Sequence, residues 1–175
     1  TGASAGIGED LALRLAERGA FVVMACRNMK KCEVSRDKYG EFKANTKCGQ
    51  MDLSDLESVK SFADAMLAEY GDTGIDYLLN NAGGVFAPGK TKQGLEMNLG
   101  VMHFGHYLLT KSLAPLLKNK SREAKHGAAR VVNHASIAAL GPPNIHESVF
   151  EGDGEGALRG EVISLNGCSQ TLSDL

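Results

Sequence analysis

Thr1-Gly-Ala-Ser-Ala-Gly-Ile-Gly8, continuing through EDLALRLAERG to Gly19 and AFVVMAC over Ala20 to Cys26, decides the fold. Three glycines in eight residues lead into a segment, Ile7 to Arg18, where Ile7, Leu11 and Leu15 recur four apart on one helical face. Gly19 then stands at the C′ position that favours a left-handed residue. Ala20 to Cys26 is an unbroken apolar run of strand length, the pattern of a parallel strand buried on both faces. In the loop, Gly2 permits a tight turn, Gly6 lets backbone approach a diphosphate, and Gly8 allows the helix to pack closely. The helix N-terminus offers free N–H groups and a partial positive charge to such an anion. A methyltransferase loop or a plain tight turn would carry similar glycines.

Further along the chain, elements alternate. Met29 to Tyr39 is polar and reads as a helix, and Ala44 to Met51 reads as a weak strand. Ser54-x-x-Glu57 has the form of a capping box ahead of a helix running to about Tyr70. That helix carries Leu56, Val59, Ala63, Met66 and Tyr70 on one stripe, and Gly71 is expected to end it. Ile75 to Asn80 is the next strand, Lys92 to Lys118 a long helix, and Arg130 to Ala135 a last clear strand. Strands alternating with helices imply βα units and a parallel sheet. From Gly141 the pattern dissolves into Pro142-Pro143 and the acidic, glycine-rich Glu151 to Gly156, which is loop composition.

A chain of 175 residues with 43% hydrophobic and 23% charged residues suits one globular core. A net charge of −2 supplies no basic field for nucleic acid or an anionic membrane surface. No apolar run approaches the roughly 20 residues of a membrane-spanning helix. Cysteines at 26, 32, 48 and 168 form no C-x-x-C pair, so free thiols in a reducing compartment are expected rather than zinc or redox chemistry. That places the chain by default inside the cell, in the cytoplasm. Because it opens on Thr1 directly in a glycine loop, it is read as a fragment: a partial domain over 1–175, with its core in 1–140 and a loop or insertion in 141–175.

The remaining motifs carry chemistry. Directly after the strand that ends at Cys26, where a dinucleotide site would place a ribose-binding acid, stands Arg27, whose guanidinium can pair with a 2′-phosphate. Asp52-Leu53 closes the strand Ala44 to Met51, either beside an adenine ring or, for Asp52, as a turn ahead of the next helix. Asn80-Asn81-Ala82-Gly83 ends the strand from Ile75 with small residues against which a cofactor ribose can lie. His103 and His106 have H-x-x-H spacing without an accompanying carboxylate motif, and Asn133 and His134 are read as shaping a strand end.

TGASAGIG, MDLSD, NNAG and RVVNHAS, in that order over residues 1–140, resemble the successive signatures of the short-chain dehydrogenase/reductase family. GLEMNLGVMHFGHYLLTKSL resembles its retinol dehydrogenase branch. The resemblance implies an α/β fold, a Rossmann-type doubly wound parallel sheet with helices on both faces, truncated here at both ends. It implies NADP held by Gly2, Ser4, Gly6, Ile7, Gly8, Arg27, Asp52, Leu53, Asn81, Ala82 and Gly83. It also implies Ser136 as donor to a substrate oxygen, alongside an Asn and a Tyr-x-x-x-Lys pair that moves the proton. Two departures stand out. Met102 occupies the branch's Asn position, leaving Asn98, one helical turn away, as a substitute. The 39 residues after Ser136 hold no Tyr and no Lys, so the pair is expected beyond Leu175 or lost.

The leading expectation is an NADP-dependent oxidoreductase of a small alcohol or carbonyl substrate, compatible with a homo-oligomer. Met24-Ala-Cys-Arg27 and Gly156 to Gly160 are also similar to the light-dependent protochlorophyllide reductase branch. A catalytically inactive NADP-binding sensor or scaffold is the third reading, supported by Met102.

Overall fold

The computed structural model describes residues 1–84, 86–123 and 128–135. They form two compact units, one of Thr1–Asp52 and one that begins at Leu53.

In the first unit, α1 (Gly6–Glu17), β1 (Val22–Cys26), α2 (Met29–Asp37), a 3₁₀ turn (Gly40–Asn45) and β2 (Thr46–Gln50) follow in order. β1 and β2 pair in parallel, from Val22 opposite Thr46 to Cys26 opposite Gln50. The face of α1 that packs inward is Gly8, Ala12 and Ala16, one position round from the expected Ile7, Leu11 and Leu15. Small side chains let the helix sit close over the strands, and Ile7 is left 66% exposed. The helix ends as expected. Gly19 (φ 85°) donates to the Ala16 carbonyl and Ala20 to the Leu15 carbonyl, both at 3.0 Å, a Schellman motif.

Met24, Cys26, Cys32, Tyr39, Ala3 and Ala12 make the unit's core. One expectation fails here. Cys32 on α2 and Cys48 on β2 are joined by a disulfide, their Cα atoms 6.1 Å apart, so these two are not free thiols. The pairing of α2 against β2 brings together residues 16 apart in sequence, and no local motif announces it. Cys26 is free and buried; Cys168 lies outside the described residues.

The second unit contains α3 (Leu56–Tyr70), β3 (Tyr77–Asn80), the single turn α4 (Met97–Leu99), a π-helical turn (Gly100–Phe104), α5 (Gly105–Glu123) and β4 (Arg130–Asn133). β3 and β4 pair in parallel, Tyr77 opposite Arg130 through Asn80 opposite Asn133. Val59, Ala63 and Met66 of the expected stripe are the buried face of α3.

Its cap is Asp55, not Ser54: the Asp55 carboxylate accepts from the Glu57 N–H at 3.0 Å. Residues distant in sequence impose the shift. Gln93 accepts the Leu56 N–H (3.1 Å) and donates to Asp55 (3.2 Å), while Lys92 reaches Asp55 at 3.0 Å and Glu57 at 2.9 Å. Because Lys92 and Gln93 serve α3, the long helix expected from Lys92 starts only at Met97, after a turn with Gly94 at φ 79°. Gly71 is right-handed (φ −52°), and the left-handed residue after α3 is Gly74 (φ 65°), whose N–H donates to Tyr70 at 2.8 Å. The segment from Gly141 lies outside the described residues. Among the described residues, no helix is long and apolar enough to cross a membrane.

Candidate functional site

Within the first unit, the glycine loop is tied to the carboxyl end of β1. Gly2 (φ 66°) donates its N–H to the Ala25 carbonyl at 3.1 Å, two residues before Arg27. Gly6 (φ 58°) begins α1, and a Cβ built on it meets nothing within 4 Å. The glycine is therefore required by backbone conformation, and space is open above it. Ala5 at the N-cap offers no side-chain hydrogen bond, so the first N–H groups of a 12-residue helix have no side-chain acceptor there. Ile7 is exposed and Gly8 buried beneath them.

Arg27 follows β1 and is exposed. Among the described residues no hydrogen bond or ion pair holds its guanidinium. Asn28 behind it caps α2 by accepting the Lys31 N–H at 3.0 Å. Ser4 is half-buried, and burial pushes the Cys26 thiol up from its ordinary pKa against the opposing hydrogen bond of the Ser4 side chain. Asp52 is half-buried at the unit's end. It follows Met51, whose N–H donates to the Cys26 carbonyl at 3.0 Å. An uncapped helix N-terminus, an open glycine and an unpartnered guanidinium on one short segment fit a ligand with two separate phosphate groups.

In the second unit, Leu53 is buried, with its carbonyl so close to Gly105 that a Cβ there would stand 2.8 Å from it. Gly105, three residues after Met102, is thus a packing requirement. At the end of β3, Asn80 is buried and donates its amide to Thr110 Oγ1 (3.1 Å) and Asn133 Oδ1 (2.8 Å). Asn81 pairs its Oδ1 with His134 Nδ1 at 3.0 Å, and the His134 N–H donates to the Asn80 carbonyl at 3.0 Å. Asn133 and His134 therefore tie the ends of β3 and β4 together, as their position suggests. Ala82 is half-buried and Gly83 exposed. Ser136 lies outside the described residues, one position past the last of them.

Asn98 is engaged at both ends of its amide. Its Oδ1 accepts the Phe86 N–H at 3.2 Å and its Nδ2 donates to Glu96 Oε1 at 2.8 Å. Glu96, buried, also caps α4 by accepting the Asn98 and Leu99 N–H groups at 3.0 and 2.7 Å. Asn98 thus holds the Phe86 backbone and the Glu96 side chain. Glu96 was the missed residue here. A carboxylate directly before a short helical segment was its sequence signal.

Met102 is buried in the π-helical turn. His106, one turn on, is also buried, with its Nδ1 3.1 Å from the Met102 carbonyl; burial lowers its pKa to about 4. Burial also lowers that of half-buried His103. Among the described residues no three His, Cys, Asp or Glu side chains converge as a metal would need.

The family model for short chain dehydrogenase matches residues 1–150. The chain belongs to the short-chain dehydrogenase family. Retinol dehydrogenase 12 of Mus musculus is 43% identical over 146 residues, which are 80% of this chain and 43% of that protein. Retinol dehydrogenase 13 of Homo sapiens is 39% identical over 141 residues, 79% of this chain and 40% of that protein. The chain thus spans less than half the length of these curated relatives. A metagenomic short-chain oxidoreductase solved in complex with NADP matches with a TM-score of 0.66 and 27% identity, covering 81% of this chain and 62% of that one. The Rossmann-type α/β assignment follows, and the two parallel strand pairs are parts of it.

Proposed function

We propose that this short-chain dehydrogenase chain is the nucleotide-binding part of an NADP-dependent oxidoreductase that acts on a small alcohol or carbonyl compound, of the retinol dehydrogenase kind. The observation that carries the reading is Arg27. It is exposed, without a partner among the described residues, and follows a strand whose end is hydrogen-bonded to the glycine loop. The N–H groups of Gly6, Ile7 and Gly8 take the diphosphate, with Gly2 and Ser4 shaping the loop. Arg27 takes the 2′-phosphate. Asp52 and Leu53 flank the adenine, and Asn81, Ala82 and Gly83 flank a ribose. When bound, the cofactor would exchange a hydride with the substrate. Ser136 donates a hydrogen bond to the substrate oxygen as negative charge grows there. Similarity to retinol dehydrogenases supports the substrate class.

Calorimetric titration of the protein that carries this chain with NADPH and NADH tests the cofactor assignment. A charge-assisted contact to the extra phosphate is worth about 1.5–3 kcal/mol, roughly 10- to 150-fold in affinity. NADPH should bind more tightly by that margin, and Arg27→Ala should abolish the difference. Equal affinities in the parent chain would refute NADP selectivity.

A second reading, a cofactor-binding protein without turnover, is favoured by one pair of observations: Met102 fills the Asn position, and the Asn98 amide is already bonded at both ends. NADPH oxidation against a panel of aldehydes by the protein that carries this chain separates the two readings.

A further inference from the structure

We propose that Cys32 and Cys48 are a reversible dithiol–disulfide site whose oxidation locks the first turn of α2, and with it Arg27, in place. The part concerning Arg27 rests on the function proposed above. Cys32 is the fourth residue of α2, fully buried, and its N–H donates to the Asn28 carbonyl at 3.0 Å. The bond to Cys48 therefore grips the helical turn that begins directly after Arg27. Cys48 lies mid-strand on β2, opposite Met24 of β1, and Cys32 Sγ sits 3.7 Å from the Met24 carbonyl oxygen. The cross-link thus fixes that turn to the middle of the strand pair.

The other side-chain anchors of this region lie at the far end of α2. Arg36 donates to the Thr46 carbonyl (2.7 Å) and Oγ1 (3.1 Å), and Tyr39 donates to the Glu9 carbonyl (2.8 Å). At the near end, Lys30 and Lys31 are exposed, and Asn28 caps the helix from within its own segment. Beyond the packing of Cys32 against Met24 and Cys26, the disulfide is, among the described residues, the side-chain bond that ties the near end to another element. With it broken, the C-terminal half of α2 stays pinned while the turn beside Arg27 is released.

The chemistry needs only a low-molecular-weight thiol–disulfide couple such as glutathione. A thiolate attacks Cys48 Sγ, the residue of the pair that is half-buried rather than sealed. The Cys32–Cys48 bond breaks, Cys32 leaves as thiolate and takes a proton, and a second thiol releases Cys48 from the mixed disulfide. Two low-molecular-weight thiols become one disulfide, and the protein disulfide becomes two thiols. Oxidation runs the same steps backwards.

The test equilibrates the protein that carries this chain in oxidised or reduced glutathione, blocks thiols by alkylation, and maps the cross-link by peptide mass spectrometry. Amide hydrogen exchange at Lys31 and Cys32, and titrations with NADPH and NADH, are then compared between the two forms. The oxidised form should show a Cys32–Cys48 peptide. On reduction, exchange at Lys31 and Cys32 should rise about tenfold or more while that at Tyr39 changes little. NADPH affinity should fall about threefold or more and NADH affinity much less. A Cys32→Val/Cys48→Ala variant, which refills the space with apolar atoms, should behave as the reduced form and ignore glutathione. Absence of the cross-link, or equal exchange in both forms, overturns the proposal whether or not nucleotide binds. Faster exchange with unchanged NADPH affinity overturns the link to Arg27. Failure of both forms to bind either nucleotide instead overturns the proposed function and leaves the latch to be decided by exchange.

Discussion

His106 sits on the core side of α5 with its ring held against the Met102 carbonyl, and burial lowers its pKa from 6.5 to about 4. The folded state therefore resists protonating it, while the unfolded chain accepts the proton near pH 6.5. A depressed pKa of this kind contributes stability that is fully present above pH 6.5 and lost as pH falls towards 4. At 1.36 kcal/mol per pKa unit, the loss is about 3 kcal/mol. Urea melts of the parent and of His106→Gln across that range should show the parent losing stability more steeply; parallel pH profiles would contradict the assignment. Ser136 and Asn98 make a second contrast at this scale. On the proposed function, Ser136→Ala in the protein that carries this chain should lower turnover about 10²- to 10³-fold with NADPH affinity unchanged, since only a donor to the developing oxyanion would be removed. Asn98→Ala should instead lower stability by about 1–2 kcal/mol, because the Phe86 N–H and Glu96 each lose a partner. Turnover, nucleotide titration and urea melts on both variants check this. A larger turnover loss in Asn98→Ala than in Ser136→Ala would reverse the roles.

Elements are ended and aligned here by backbone geometry that some glycines alone permit. Gly74 and Gly94 share positive φ angles, 65° and 79°, yet their surroundings differ. A Cβ at Gly94 meets nothing within 4 Å, whereas at Gly74 it would stand 2.6 Å from the Leu116 carbonyl oxygen and 2.9 Å from the Lys120 nitrogen. Gly94→Ala should cost only the left-handed penalty, about 1–2 kcal/mol. Gly74→Ala adds a collision between the end of α3 and the backbone of α5, and should cost at least about 2 kcal/mol more. Urea melts of the two variants measure the gap; equal losses would mean that α5 yields at no cost. The same scale accounts for the displaced cap of α3. Ser54-x-x-Glu57 had the right local spacing, but Lys92 and Gln93, 37 and 38 residues beyond Asp55, draw Asp55 and Glu57 into their own network.

At the scale of the whole molecule, the Cys32–Cys48 bond closes a loop of 16 residues in the first unit. Constraint of the unfolded chain by a loop of this length is worth about 3 kcal/mol. Calorimetry with and without reductant should show the Thr1–Asp52 unit melting at lower temperature once reduced, and an unchanged melt would argue against the cross-link in solution. The sequence by itself determined what depends on near neighbours in the chain. Gly19 ended α1, and Val59, Ala63 and Met66 lined α3, because helix period and left-handed φ are local properties. Only the tertiary structure decided the rest. It turned Gly8, Ala12 and Ala16 of α1 inward instead of Ile7, and joined two cysteines expected to be free. It tied both ends of the Asn98 amide to Phe86 and Glu96. Each of these outcomes follows from how closely one element approaches another, a distance that side-chain sizes and partners set in three dimensions and that spacing along the chain does not carry.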